Sequence, residues 1–130
     1  MEQIISMDGK DGNLFVFPDR VILQYYGGAE TAVDFRYIYD VHFRPIRPDM
    51  TGFIRPLSVY GDIFFEVAPL APGEPADSVR VQHFVRLYET IQSLRAQTQF
   101  FTAQRIWNPN GYEQSPNPPA PPTPSQLPRY

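Results

Sequence analysis

The sequence predicts a mainly β domain of about seven strands that ends in one amphipathic helix and continues into a proline-rich tail. Three observations carry this. Aromatic residues make up 15% of the 130-residue chain, with ten Phe and eight Tyr, and flat, stiff side chains suit a pleated sheet better than a helical bundle. The hydrophobic period changes from two to the helical value near Gln82. Eight of the fifteen prolines follow Trp107, so composition divides the chain into a globular body, residues 1–106, and a biased tail, residues 107–130.

Asp8-Gly9-Lys10-Asp11-Gly12-Asn13 is a turn cluster. Leu14–Phe17 and Arg20–Tyr26 are β-rich runs joined by Pro18-Asp19, which reads as a hairpin closed by Gly27-Gly28. Thr31–Phe35 alternates and supplies a third strand. Tyr39–Phe43 alternates again, with Tyr39, Val41 and Phe43 on one face and Asp40 and His42 on the other. Pro45 and Pro48 interrupt it. Gly52–Val59 is a further strand, and Pro56 within it removes a ladder donor, which places that position at an edge or a bulge. Asp62–Val67 is a strand, Pro69–Pro75 a loop, and Val79-Arg80-Val81 a short last strand.

From Gln82 the apolar residues Phe84, Leu87, Tyr88, Ile91 and Leu94 form one stripe, with Gln82, Arg86, Glu89, Gln92, Ser93 and Arg95 opposite. The spacing predicts a helix over 82–98, extending to about 105, since the first firm stop is Asn108-Pro109. The tail holds almost nothing to bury. Its run Pro116–Pro124 favours extended polyproline II without a packed core.

Several function classes lose support from composition. The formal net charge is −3 and the pI about 5.2, which does not build the positive field that nucleic acid or an anionic membrane selects. There is no Cys, so disulfides, thiolate metal sites and a Cys nucleophile are excluded. The N-terminus lacks a basic flank and a long apolar run, and no stretch reaches the ~18 apolar residues of a membrane span. A cytoplasmic location is the default.

The order of strands followed by one C-terminal helix resembles a pleckstrin-homology-like (PH-like) barrel. The stretch Gly9–Leu23 is similar to the opening of short bacterial PH-like domains, with a Gly-rich turn, an apolar strand, an Asp at the hairpin and a second apolar strand. Phe35-Arg36-Tyr37-Ile38 with Val41-His42-Phe43 looks like that family's third-to-fourth strand crossing, and Gly52-Phe53-Ile54-Arg55 like the start of its fifth strand. The resemblance covers about residues 8–98. It implies about seven antiparallel strands in a barrel plugged by the helix, and a binding scaffold with no catalytic residues, metal or cofactor.

The residues themselves add little chemistry. The histidines, His42 and His83, have no Ser, Asp or second His at a recognisable spacing. Asp8, Asp11 and Asp19 lack the spacing of a calcium loop and serve turns. At the first hairpin Arg20 and Lys10 face these acids, which argues against the inositol phosphate binding known for PH domains. A richer anion patch is the loop from Phe43 to Arg55, where Arg44, Arg47 and Arg55 are interleaved with Phe53. The competing account is a solvated loop stiffened by prolines. Phe100, Phe101, Ile106 and Trp107 lie beyond what a small barrel covers, and either fold back or dock on a second subunit or partner. The tail, ending Leu127-Pro128-Arg129-Tyr130, weakly resembles a ligand of polyproline-reading modules. The expectation is a non-catalytic protein-interaction module acting through a protein partner or self-association. The alternative is anion, phospholipid or nucleic-acid binding through the three arginines.

Overall fold

The computed structural model describes residues 2–107, with side chains to residue 99. Within it Met1–Ala96 forms one compact unit, to which the contacts below belong. Among the described residues, eight strands make two antiparallel sheets. The first sheet is a meander of β1 (Ile5–Asp8), β2 (Gly12–Val16), β3 (Arg20–Tyr25) and β4 (Glu30–Asp34), in that order. A 3-10 turn, Phe35–Tyr37, leads to the second sheet. There β6 (Gly52–Ser58) is central, with β5 (Ile38–Arg44) on one side and β7 (Gly61–Asp62) and β8 (Phe65–Val67) on the other. One helix, α1 (Val79–Trp107), follows.

The hairpin at Pro18-Asp19 forms as its sequence predicts, with Phe17 N–H donating to Arg20 O at 2.9 Å. β1 is an addition that the turn cluster did not announce. It pairs with β2 from Ile5↔Val16 to Asp8↔Asn13 and buries Met7.

The expected closed barrel is replaced by two separate sheets. One corner is joined by Lys10 N–H donating to Glu66 O at 2.8 Å. At the opposite corner β4 and β7 are the outermost strands of their sheets and no ladder joins them.

Pro56 is not at an edge. It lies in the central strand, buried opposite Val41. Its carbonyl accepts from Ile63 N–H at 3.3 Å, and the N and O of one strand residue point to the same side. The missing donor therefore faces Ile63-Phe64, where the ladder lapses. The strand expected over Asp62–Val67 is thereby split into β7 and β8.

Tyr39 also departs from its expected inward face. A register shift between Ile38 and Asp40 makes Tyr39 the extra residue. Ile38 takes the core position while Tyr39 is exposed. Its carbonyl, released from the ladder, accepts from Arg95 Nη2 at 2.6 Å.

Val79–Val81 is the first turn of α1, not a strand. Local capping overrides the β preference of the two valines. Ser78 Oγ accepts from Val81 N–H at 3.3 Å, and Ser78 O from Gln82 N–H at 2.9 Å. Glu74 anchors the same turn. Its carboxylate accepts from Ala71 N–H, Ser78 Oγ and Arg80, each pair having a contact at or below 2.8 Å. Arg80 also donates to the carbonyls of Ala68 and Pro69.

The helix stripe seats as its spacing predicts. Phe84, Leu87 and Ile91 are fully buried against both sheets' inner residues, and Tyr88 and Leu94 pack at the margin. Phe43 stacks on Phe84 and Tyr88 with ring centroids at 5.5 and 4.2 Å. Gly52 lets Phe84 approach: a Cβ there would lie 2.9 Å from the ring and 2.7 Å from Ile46 Cγ1. His83 Nε2 lies 2.6 Å from Ser6 O, so this histidine is a structural tie to β1.

Two outcomes test this account. Phe84→Ala should destabilise the fold by ~3–5 kcal/mol, since it deletes a fully buried ring; urea unfolding measures it. The carboxyl of Glu74 is held down to about 2, from an ordinary 4.5, by Arg80 first, then by Ala71 N–H and Ser78. Its folded-state pKa is depressed, so its stabilisation is present above about 4.5 and fades as pH falls toward 2. Melting curves across that window should fall less steeply for Glu74→Gln than for the wild type.

Candidate functional site

The predicted arginine patch is brought together only in part. Arg44 on β5 and Phe53 and Arg55 on β6 share the outer face of the second sheet, through the pairs Arg44↔Phe53 and His42↔Arg55. Arg47 stands apart on the loop between these strands, exposed. The Arg44 guanidinium lies over the Phe53 ring at 4.8 Å and donates to Thr51 O and Thr51 Oγ1, both at 2.8 Å. Thr51 Oγ1 in turn donates to Glu66, which also pairs with Lys10 at 3.7 Å. Arg55 reaches Asp62 at 2.7 Å, and His42 reaches Asp40 at 3.3 Å. Arg55 is met by a carboxylate and the Arg44 guanidinium spends two donors on Thr51, so fewer of this face's donors are left for an anion.

The first hairpin behaves alike. Arg20 grips Asp19 with Nη2–Oδ2 at 2.9 Å, and this hydrogen bond holds the Asp19 carboxyl below its usual range. Among the described residues no group of three or more His, Asp or Glu is placed to hold a metal, and no helix is long and apolar enough to cross a membrane. Phe100, Phe101, Ile106 and Trp107 fall on the last turns of α1, beyond the described side chains. The tail lies outside the described residues.

The open corner holds a feature that sequence reasoning missed. A cleft of about 470 Å³ lies between β4 and β7, lined by Thr31 to Asp34 from one strand, by Tyr60, Gly61 and Asp62 from the other and its turn, and by Arg20 and Tyr37. Two local devices set its aromatic wall. Asp34 caps the 3-10 turn, its Oδ1 accepting from Arg36 N–H at 2.8 Å, and this fixes Tyr37 while Phe35 is buried. Ser58, itself buried, receives Tyr60 N–H at 3.1 Å and donates to Gly61 O at 2.6 Å. Gly61 takes a φ of 122°, a conformation that suits glycine. The two tyrosine rings then meet edge to face with centroids 4.8 Å apart, and Arg36 lies 5.1 Å from the Tyr37 ring centre.

This wall is unusually open. Tyr60 is 76% exposed and the neighbouring Val59 70%. The sequence signal was an apolar-aromatic pair, Val59-Tyr60, inside a turn that polar residues normally occupy. Tyr37 and Tyr60 are far apart in the chain, so their pairing has no local signature.

Fold and site together define a class: a small two-sheet antiparallel β domain packed on one helix, with an aromatic cleft between two strand edges. Compared with protein-family models, with curated proteins and with solved structures, the chain gives no match.

The compensated arginines give a direct test. Arg55→Ala removes an exposed ion pair and should change stability by no more than ~1 kcal/mol; urea unfolding of the full chain checks it.

Proposed function

We propose that this chain is a non-catalytic protein-interaction module, an adaptor or a structural subunit, on a PH-like scaffold. The order of meander, crossing, second sheet and C-terminal helix supports the scaffold assignment. The observation that carries the function is the Tyr37–Tyr60 cleft. Exposed aromatic residues around a concavity supply large contact area at low entropic cost, and tyrosine is enriched among the residues that dominate binding energy. The histidines have other duties: His83 ties α1 to β1, and His42 is an exposed partner of Asp40. The arginine face supports the anion alternative less well, because Arg55 is paired with Asp62 and Arg44 is engaged by Thr51.

Panning a phage-displayed peptide library on the full chain tests the reading. Peptides should be enriched, and Tyr37→Ala/Tyr60→Ala should weaken them by about 10-fold or more while leaving the melting temperature nearly unchanged. A library that enriches nothing would sink the proposal. Peptides indifferent to the double variant would move the binding site elsewhere.

A further inference from the structure

The ladder pattern decides which backbone groups of β4 face outward. Tyr25 N–H donates to Ala29 O, and Phe35 N–H to Asp19 O. Hydrogen-bonded pairs alternate along an antiparallel ladder, and the register runs Leu23↔Thr31, Ile22↔Ala32, Val21↔Val33. Thr31 and Val33 therefore bond inward to β3, while the N–H and C=O of Glu30, Ala32 and Asp34 point away from the sheet.

On three other edges an outward carbonyl is met, and β7 is only two residues long. Ser6 O on β1 is met by His83, Tyr39 O on β5 by Arg95, and Glu66 O on β8 by Lys10 N–H. β4 is the end strand of its sheet and borders the cleft. Its sequence Glu-Thr-Ala-Val-Asp has no Pro, Lys or bulge to protect such an edge.

We infer that the β4 edge takes up an extended peptide of a partner protein by strand addition, with basic side chains on the peptide face that meets Glu30, Ala32 and Asp34. This rests on the interaction-module reading and specifies its mode. Charge complementarity selects the occupant. Glu30 and Asp34 carry the charge of the outward-alternating positions, so basic residues two positions to either side of the one facing Ala32 give favourable cross-strand pairs. Asp34 is partly answered by Arg36 at 3.2 Å, which leaves Glu30 the stronger determinant. A second copy fits worse: antiparallel pairing of β4 with itself about Ala32 sets Glu30 against Asp34 of the other chain, like charge against like. Peptide residues of the alternate set point with Thr31 and Val33 toward the cleft, where β-branched or aromatic side chains meet Tyr37 and Tyr60. Backbone bonds supply affinity in such complexes, and alternate side chains supply selectivity.

The probe is a labelled, capped heptapeptide, Lys-Val-Thr-Val-Lys-Val-Thr, titrated against the full chain by fluorescence anisotropy. It should bind, and the version with Glu in place of Lys should bind about 10-fold more weakly or worse. N-methylation of the Lys and Thr amides should abolish binding, while N-methylation of the Val amides should leave it. Ala32→Pro, which removes an outward N–H that β3 does not use, should lose binding with the fold intact by circular dichroism. Should that variant unfold, the N-methyl series decides alone. Equal sensitivity to both methylation sets, or no binding of the heptapeptide, overturns strand addition. If the library still yields peptides that depend on Tyr60, the module reading survives that loss; if it yields none, both fall. A full chain that is dimeric in light scattering and made monomeric by Ala32→Pro assigns the edge to a second copy and overturns the partner peptide.

Discussion

The seat of Phe84 is the contact on which the rest of the molecule depends. Its ring lies against Phe43, Phe65 and the bare backbone of Gly52, so one residue of α1 touches β5, β8 and β6. These strands all belong to the second sheet; the same helix reaches the first through His83, whose Nε2 lies 2.6 Å from Ser6 O on β1, and the inner residues of both sheets join Phe84, Leu87 and Ile91 in one core. Burial of one aromatic stripe does what closure of a barrel would otherwise do: it holds both inner faces out of water. With the sheets held from that side, the far corner needs no ladder, and the cleft between β4 and β7 exists because of it.

The parts of the fold that were legible in the sequence are those set by local periodicity. The 14–26 hairpin and the Phe84–Leu94 stripe follow from spacing alone, and their side chains are where that spacing puts them. What was not legible depends on partners distant in the chain. β1 is four residues long, and its alternation Ile5-Ser6-Met7-Asp8 is too brief to mark a strand without its pairing with β2. The slip at Tyr39 is a backbone event that alternation cannot register, and it exchanged the places of two adjacent apolar residues. Val79–Val81 misled because β-branched composition spoke for a strand while the Ser78 cap and the Glu74–Arg80 clamp acted from outside the segment.

The candidate site divides the same way. Arg44, Phe53 and Arg55 do share a face, as alternation on two paired strands requires, yet Asp62, which pairs with Arg55, sits on β7, and Glu66, which bonds Arg44's partner Thr51, sits on β8. A run of arginines read along the chain says how much positive charge is present; what fraction remains for a ligand is fixed across the sheet. The tyrosine cleft is the converse case, with weak local signals that gain meaning only once two strand edges face one another.

The bond between His83 and Ser6 joins residues 77 positions apart, and it bears on how the molecule is made. During synthesis β1 and β2 emerge first, but the outer edge of β1 waits for most of the domain before its cover arrives. Long-range closure of this kind slows folding and leaves a nascent sheet open to the wrong neighbour. The order of the chain thus assigns the growing polypeptide an interval in which its first strand is unattended, and the arrival of the helix ends it.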